Sequence, residues 1–379
     1  MQLKSVRYIE WEGGLQEWSL EGFDIGPRNL IVGKNASGKS RILNVISGLA
    51  KYFTGTKATS LSGNYDVEFI DDGKILRYKL QLKNQEVVEE EFYVDGKIFL
   101  KRGEGGEGEI WAEEIGKNIR FQTPSSELAV VARRDNIQHN FFEPLYMWGS
   151  SLRIYRFGSS LGKEYMAVID SKLENNEDES DQNKVIGIYQ LAVKKFGEEF
   201  KKIMISDMEE INYDIEEIGI KTPVSVRFVS GPPGDVVCFY VKEKDLSGIT
   251  DQTSMSQGMF RVLSILIQIN YSQLANKASC ILVDDIGEGL DFDRSCRLIK
   301  LLRNKADCSG VQLILSTNDR FVMNNVPLEE WSVIQREGGH VHVRNYENSK
   351  KLFEEFKFTG LSNFSFLELD FINEAIIEE

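Results

Sequence analysis

Residues 33–40, GKNASGKS, bring two glycines, a lysine and a hydroxyl together at the spacing of a phosphate-binding loop. Gly33 and Gly38 give the backbone freedom to wrap an anion. The N–H groups of Lys34, Asn35, Ala36 and Ser37, with the helix start behind them, can point at it. Lys39 is placed to reach the outer phosphates, and the Ser40 hydroxyl to ligate a divalent cation. A cation held in this way needs a carboxylate at the end of a neighbouring strand. The segment ASCILVDDIGEGLDFD offers one: four apolar residues set Asp284 at the carboxyl end of a buried strand. Asp285 follows and points differently, where it can position or deprotonate an attacking water. Together these residues imply a nucleoside triphosphate held with Mg²⁺ and hydrolysed.

Such a loop has to sit between a strand and a helix, and the flanking sequence provides both. Residues 29–32 read as a short apolar strand and residues 39–52 as a helix. Residues 64–115 have a different texture, with β-rich runs broken by Asp-Gly and Gly-rich turns, which predicts an antiparallel meander. The acidic run at 173–183, LENNEDESDQN, has almost nothing to bury and reads as a linker. A helix is expected over 184–210, with Ile186, Tyr189, Val193, Phe196 and Phe200 lining one face. Strands around VSVRFV and DVVCFYV lead into a helix over 257–274. A buried strand at 280–283, a helix at 293–305 and a buried strand at 311–315 follow. This alternation predicts a parallel sheet covered on both faces.

Composition narrows the class. Of 379 residues 41% are hydrophobic, enough for a sizeable core, and 45 Lys and Arg against 59 Asp and Glu give a net charge of −14. That balance argues against broad coating of nucleic acid. It leaves local basic patches, for which Arg133, Arg134 and Lys194, Lys195, Lys201 and Lys202 are the candidates. Charge on the outer side of an amphipathic helix is by default a solvated face. Cys238, Cys280, Cys296 and Cys308 form no C-x-x-C pair, which indicates a reducing compartment and no zinc. His340 and His342 alternate in an expected strand without a third ligand. MQLKSVRYIEWEGG carries charges where an export signal needs an apolar core, and VLSILIQI is far short of the roughly 20 residues of a membrane span. A cytoplasmic protein with no membrane partner is expected.

Two further motifs bear on the class of machine. Asp284 to Gly287 spell D-x-x-G and Asn304 to Asp307 spell N-K-x-D, a GTPase-like pair. A guanine-reading N-K-x-D should directly follow an apolar strand, whereas this one ends an amphipathic helix. In TSMSQGMFRVLSILIQI, by contrast, Ser256, Gln257 and Gly258 crown the start of a strongly apolar helix, a second anion site. One chain needs one cradle for its own γ-phosphate. A second makes sense if it serves the nucleotide of another copy.

The order MQLKSVRYIEW, GKNASGKS, meander, MSQGMFR, ILVDDIGEGLD, LILSTND resembles the ABC-type ATPase heads of the SMC, RecF and OLD-like class. It most resembles the compact, coiled-coil-free forms encoded with bacterial anti-phage defence nucleases. The resemblance implies an α/β P-loop NTPase fold with a mostly parallel core sheet, an antiparallel β-subdomain and a helical lobe. The expected divisions are a core from 1–60 and 250–345, a meander at 61–120, a lobe at 121–249 and an aromatic tail at 346–379. It implies ATP and Mg²⁺ as cofactors, closure of a homodimer or higher oligomer around ATP, and a γ-phosphate contacted by Ser256 and Gly258 of the partner copy. Gly289, Leu290 and Asp291 match the loop that crosses the dimer seam, and Gln122 or Gln138 would link metal to lobe. The chain departs from the class at Asn318, where a switch histidine is usual, and at Asp285, where glutamate is more common. Aspartate is shorter and asparagine carries no positive charge, so hydrolysis is expected to be slow.

The resulting expectation is an ATP-gated switch that controls a separate effector, a nuclease foremost, in phage defence or DNA maintenance. The alternatives are a membrane-transporter motor and, more weakly, a small-molecule phosphotransferase. The tail aromatics Phe353, Phe356 and Phe358 are expected to pack, while Phe364, Phe366 and Phe371 could pack or dock a partner.

Overall fold

The computed structural model describes residues 1–169, 181–225, 235–277, 280–369 and 371. Most of the acidic linker, and residues 226–229 of the strand expected around VSVRFV, lie outside them. The chain opens with strands β1 (Gln2–Glu10), β2 (Trp18–Asp24) and β3 (Arg28–Val32), then helix α1 (Lys39–Phe53). Six strands follow: β4 (Ser62–Asp71), β5 (Lys74–Lys83), β6 (Glu86–Val94), β7 (Lys97–Arg102), β8 (Glu107–Ala112) and β9 (Lys117–Gln122). Short helix α2 (Ala129–Ala132) and α3 (Glu143–Ser151) lead to β10 (Arg153–Arg156) and β11 (Ala167–Ile169). The next stretch holds α4 (Val185–Glu210), β12 (Ile215–Lys221), β13 (Asp235–Glu243), β14 (Thr250–Asp251) and α5 (Gln257–Leu274). The remainder is β15 (Cys280–Asp284), α6 (Phe292–Ser309), β16 (Gln312–Ser316), α7 (Arg320–Asn324), β17 (Trp331–Glu337), β18 (His340–Asn345), α8 (Lys350–Phe358) and α9 (Ser365–Glu368).

Among the described residues, fourteen strands form one sheet in the order β10-β15-β16-β3-β17-β18-β2-β1-β4-β5-β6-β7-β8-β9. β10, β15, β16, β3 and β17 run parallel, so their carboxyl ends share one edge. Side chains on these strands alternate between two cores. Leu30, Val32, Ile281, Val283, Leu313 and Leu315 face α5 and α6, while Ile31, Leu282 and Ile314 face α1.

The expected mostly parallel core sheet is corrected by this topology. Antiparallel pairings outnumber parallel ones, and the two halves are one ladder. The cause is local. β17 turns back through Gly338, at φ +61°, and β18 then runs antiparallel to β17 and parallel to β2. The meander is thereby stitched onto the parallel block. Its tight turns place Asp72-Gly73 and Asp95-Gly96 at positive φ, as two-residue hairpin turns require. A second sheet, β11-β13-β12 with β14 beside β13, packs with α4 and α5.

In the tail, Phe353 and Phe356 are buried, but Phe358 is 90% exposed, contrary to expectation. Phe366 is fully buried and stacks on Phe353 at 4.9 Å. None of the described helices is long and apolar enough to cross a membrane.

Candidate functional site

The carboxyl edge of the parallel strands brings the phosphate loop beside β15 and β16. Val32 ends β3 and the chain turns at once into the loop. A Cβ on Gly33 would lie 2.9 Å from the Ser37 hydroxyl and 3.0 Å from the Ile334 carbonyl, so only glycine fits. Ala36 and Gly38 sit at φ +62° and +109°, which turns successive amides toward the concave side. The Ser37 hydroxyl is buried without a partner, while Lys34, Asn35 and Ala36 are exposed. Lys39 is buried and donates to the carbonyls of Gly33 at 2.9 Å and Lys34 at 3.2 Å, holding the loop's shape. Burial lowers its pKa, and the negative charges of Asp285 and Asp284 oppose that shift. Arg336 on β17 braces the loop from outside by donating to the Ala36 carbonyl at 3.0 Å.

Ser40 donates to Asp284 Oδ1 at 3.1 Å, although 244 positions separate the two residues. Asp284 ends an entirely buried strand, and the same oxygen accepts from the Ser316 hydroxyl at the end of β16. Ser316 in turn accepts from the Asp285 N–H at 3.0 Å, so one hydroxyl fixes both aspartates. Asp285 sits at φ +56°, uncommon for a non-glycine residue and most often tolerated by Asp and Asn. Its pKa is raised by burial, then by the charges of Asp284 and Glu288, with Lys39 acting against them. Asn318 lies exposed just past the same strand edge, beyond Thr317, whose hydroxyl holds the Ile286 carbonyl at 2.8 Å.

A triphosphate with a divalent cation fits these residues. The loop leaves an unpartnered buried hydroxyl and left-handed amides on its concave side, and a hydroxyl and a carboxylate meet beside it. Among the described residues no group of three or more His, Cys, Asp or Glu is arranged to hold a metal. A cation here would take oxygen ligands from Ser40 and Asp284 and complete its shell with phosphate and water.

Ser256, Gln257 and Gly258 form a second cluster. Ser256 caps α5 by accepting from the Met259 N–H at 3.1 Å. A Cβ on Gly258 would lie 2.7 Å from the Gly289 carbonyl, so the helix mouth packs on the loop after β15. Among the described residues this trio makes no hydrogen bond to the phosphate loop; Gln257 reaches the Ser159 carbonyl at 3.5 Å.

The glutamines offered as lobe linkers are both misplaced. Gln122 ends β9, at the opposite edge of the sheet from β10 and β15, and touches the Gly105 carbonyl at 3.4 Å. Gln138 bonds Glu114 at 3.1 Å beside the β8–β9 turn. The loop after β10 takes the place beside Asp284, where Phe157 N–H donates to the Asp284 carbonyl at 2.8 Å. Sequence reasoning also missed Arg261, four positions after the α5 start. It donates to the carbonyls of Gly158 at 2.7 Å, Ser159 at 3.0 Å and Glu288 at 2.8 Å. The N-K-x-D segment lies inside α6, where Lys305 pairs with Asp207 at 2.9 Å. Arg134 pairs with Glu143 at 3.6 Å and lies over the Tyr146 ring at 3.4 Å, so it is engaged within the chain.

No sequence-family profile and no curated protein matches the chain. Solved structures do. The SMC head bound to the C-winged helix domain of ScpA aligns over 93% of this chain and 100% of its own, at 14% identity and a TM-score of 0.52. The SMC head domain from Thermotoga maritima aligns over 91% and 99%, at 12% identity and a TM-score of 0.45. The Smc head with an extended coiled coil derived from Pyrococcus furiosus, bound to the C-terminal domain of ScpA, aligns over 94% and 99%, at 13% and 0.47. The first of these defines the fold: the chain has the architecture of an SMC head, with a large mixed sheet and helices.

Proposed function

We propose that this chain is an ABC-type ATPase that binds ATP with Mg²⁺ between two copies of itself and hydrolyses it slowly. Closure of the pair controls a separate effector, a nuclease foremost, in anti-phage defence or DNA maintenance. The observation that carries the reading is the meeting of Ser40 and Asp284 at 3.1 Å beside a loop whose lysine is already folded over it. When bound, the cation supplies charge neutralisation at the outer phosphate oxygens. Lys39 and the loop amides orient the triphosphate, Ser40 and Asp284 hold the cation, and Asp285 accepts a proton from water.

On this reading residues 1–60 and 250–345 make the ATPase core, 61–120 the meander, 121–249 the signature lobe and 346–379 the tail. The Ser256 helix mouth, packed on Gly289 and Leu290, supports a shared site because Ser256 and Gln257 bond elsewhere than to the chain's own phosphate loop. Slow turnover follows from the short side chain of Asp285 and the uncharged Asn318. The SMC head that defines the fold carries a ScpA domain, and a separate polypeptide partner is proposed here on that analogy. The transporter alternative gains nothing from these likenesses.

The test is mass in solution with and without ATP and Mg²⁺ for the native chain, Lys39→Ala and Ser256→Arg. ATP should assemble the native chain, Lys39→Ala should not bind ATP, and Ser256→Arg should bind it without assembling. ATP-independent mass across all three refutes the shared site.

A further inference from the structure

Ten residues after β10 run against the candidate site without a strand or helix of their own, and side chains from one segment hold them. Gly158 lies beside the site: an added Cβ would lie 2.4 Å from the movable carboxylate end of Glu288 and in ordinary contact, at 3.5 Å, with Asp285 Cβ. Gln252, fully buried beside β14, donates from its amide to the carbonyls of Lys163 at 2.8 Å and Tyr165 at 2.7 Å, and lies 3.4 Å from that of Gly162. Its amide oxygen accepts from the Phe239 N–H on β13 at 3.1 Å, which fixes its orientation. Ser264, one turn past Arg261 on α5, donates to the Leu161 carbonyl at 3.0 Å.

We propose that Gln252 is a positioning residue for ATP turnover: it clamps the 158–165 loop to the lobe of β13 and α5 and so sets where Asp285 stands. The inference rests on the reading of Asp285 as the group that handles water. Its logic is geometric. The loop's own backbone bonds are local, at Ser159, Lys163 and Tyr165, while side chains just after β14 and on α5 hold its carbonyls. Phe157 N–H bonds the Asp284 carbonyl at 2.8 Å and Arg261 joins the carbonyls of Gly158 and Glu288, so the loop is tied to the chain on both sides of Asp285. A displacement of the lobe at the Ser256 mouth therefore reaches Asp285 through Gln252 and Arg261. A glutamine acts here as the lobe link, through buried carbonyls and without touching the cation.

The test uses the full chain with Gln252→Met, which keeps roughly the length and volume but removes both the donor and the acceptor of the amide, and Ser264→Ala, which removes one bond from the same clamp. A fluorescent ATP analogue gives affinity, steady-state phosphate release gives kcat, and hydrogen exchange reads residues 158–165. Gln252→Met should lower kcat at least tenfold, leave affinity within about twofold and speed exchange in the loop. Ser264→Ala should do the same with a smaller loss, about threefold in kcat. Unchanged kcat in a folded Gln252→Met chain overturns the proposal. If Gln252→Met does not fold, unchanged kcat in Ser264→Ala overturns it. A native chain that binds no ATP refutes the reading of the site itself, a separate result, and takes the inference with it.

Discussion

Replacing Ser316 by alanine isolates the metal arm of the proposed site from the phosphate arm. The Ser316 hydroxyl is fully buried, donates to Asp284 Oδ1 and accepts from the Asp285 N–H at 3.0 Å. Alanine removes a charge-assisted bond worth about 1.5–3 kcal/mol and leaves a half-buried N–H without its partner at a cost of up to about 1–3 kcal/mol, two terms that overlap. Asp284 then loses the partner that orients it toward a cation, and loss of such a partner typically weakens metal binding about 10–100-fold. The assay is a Mg²⁺ titration of ATPase activity at saturating ATP, with affinity for a fluorescent ATP analogue measured without Mg²⁺. Half-saturation by Mg²⁺ should rise about 10–100-fold. Nucleotide affinity without the cation should stay within about twofold, because the loop and Lys39 are untouched. Ser316→Thr, which keeps the hydroxyl, should recover most of the loss. An unchanged Mg²⁺ requirement in a folded Ser316→Ala chain would refute the assignment of Asp284 to the cation.

Asp285 has a raised pKa, so the acid limb of kcat should lie above the usual aspartate value near ~3.9, with activity lost as pH falls through it. Glu288→Gln removes one of the like charges that raise it, so the limb should move to lower pH, and a pH–rate profile with no displacement counts against the coupling. Within the meander, Glu90 and Arg102 pair at 3.5 Å with no side-chain exposure, so Arg102→Met should destabilise the chain by about 3–5 kcal/mol in urea denaturation. A loss below about 1 kcal/mol would show the pair to be dispensable. Phe366→Ala should cost about 3–5 kcal/mol, since the ring is fully buried among Phe353, Phe356 and Trp331. An unaltered melting curve would instead assign this aromatic to a partner.

Local chemistry was legible in the sequence where spacing alone carries it. The phosphate loop, the apolar strand ending at Asp284 and the cap at Ser256 all follow from residues close in the chain. What escaped depends on contacts between distant segments. Ser316 reads as one hydroxyl after an apolar run, and only the register of β15 against β16 puts it between two aspartates. Gln252 and Arg261 look like ordinary polar residues because their partners are backbone carbonyls, which leave no trace in residue type. The misplaced Gln122 and Gln138 show the converse: both follow the meander in sequence, but the meander ends at the far edge of the sheet. Asp-Gly turns identified the hairpins, whereas no local feature announced that β18 would join them to the parallel block.

The position of β3 sets an order of assembly. This strand launches the phosphate loop, yet its two neighbours in the sheet are β16 and β17, supplied by residues 312–337. During synthesis this apolar strand waits until residues 312–337 have been made before both flanks are covered. The loop it carries cannot take its shape until then, because Ile334 forms one wall of Gly33. Nucleotide binding should therefore appear only once β17 has been made, and all at once, making it a report on closure of this part of the sheet as well as on the site. A nascent chain arrested before residue 312 would hold every residue of GKNASGKS and still have no competent cradle.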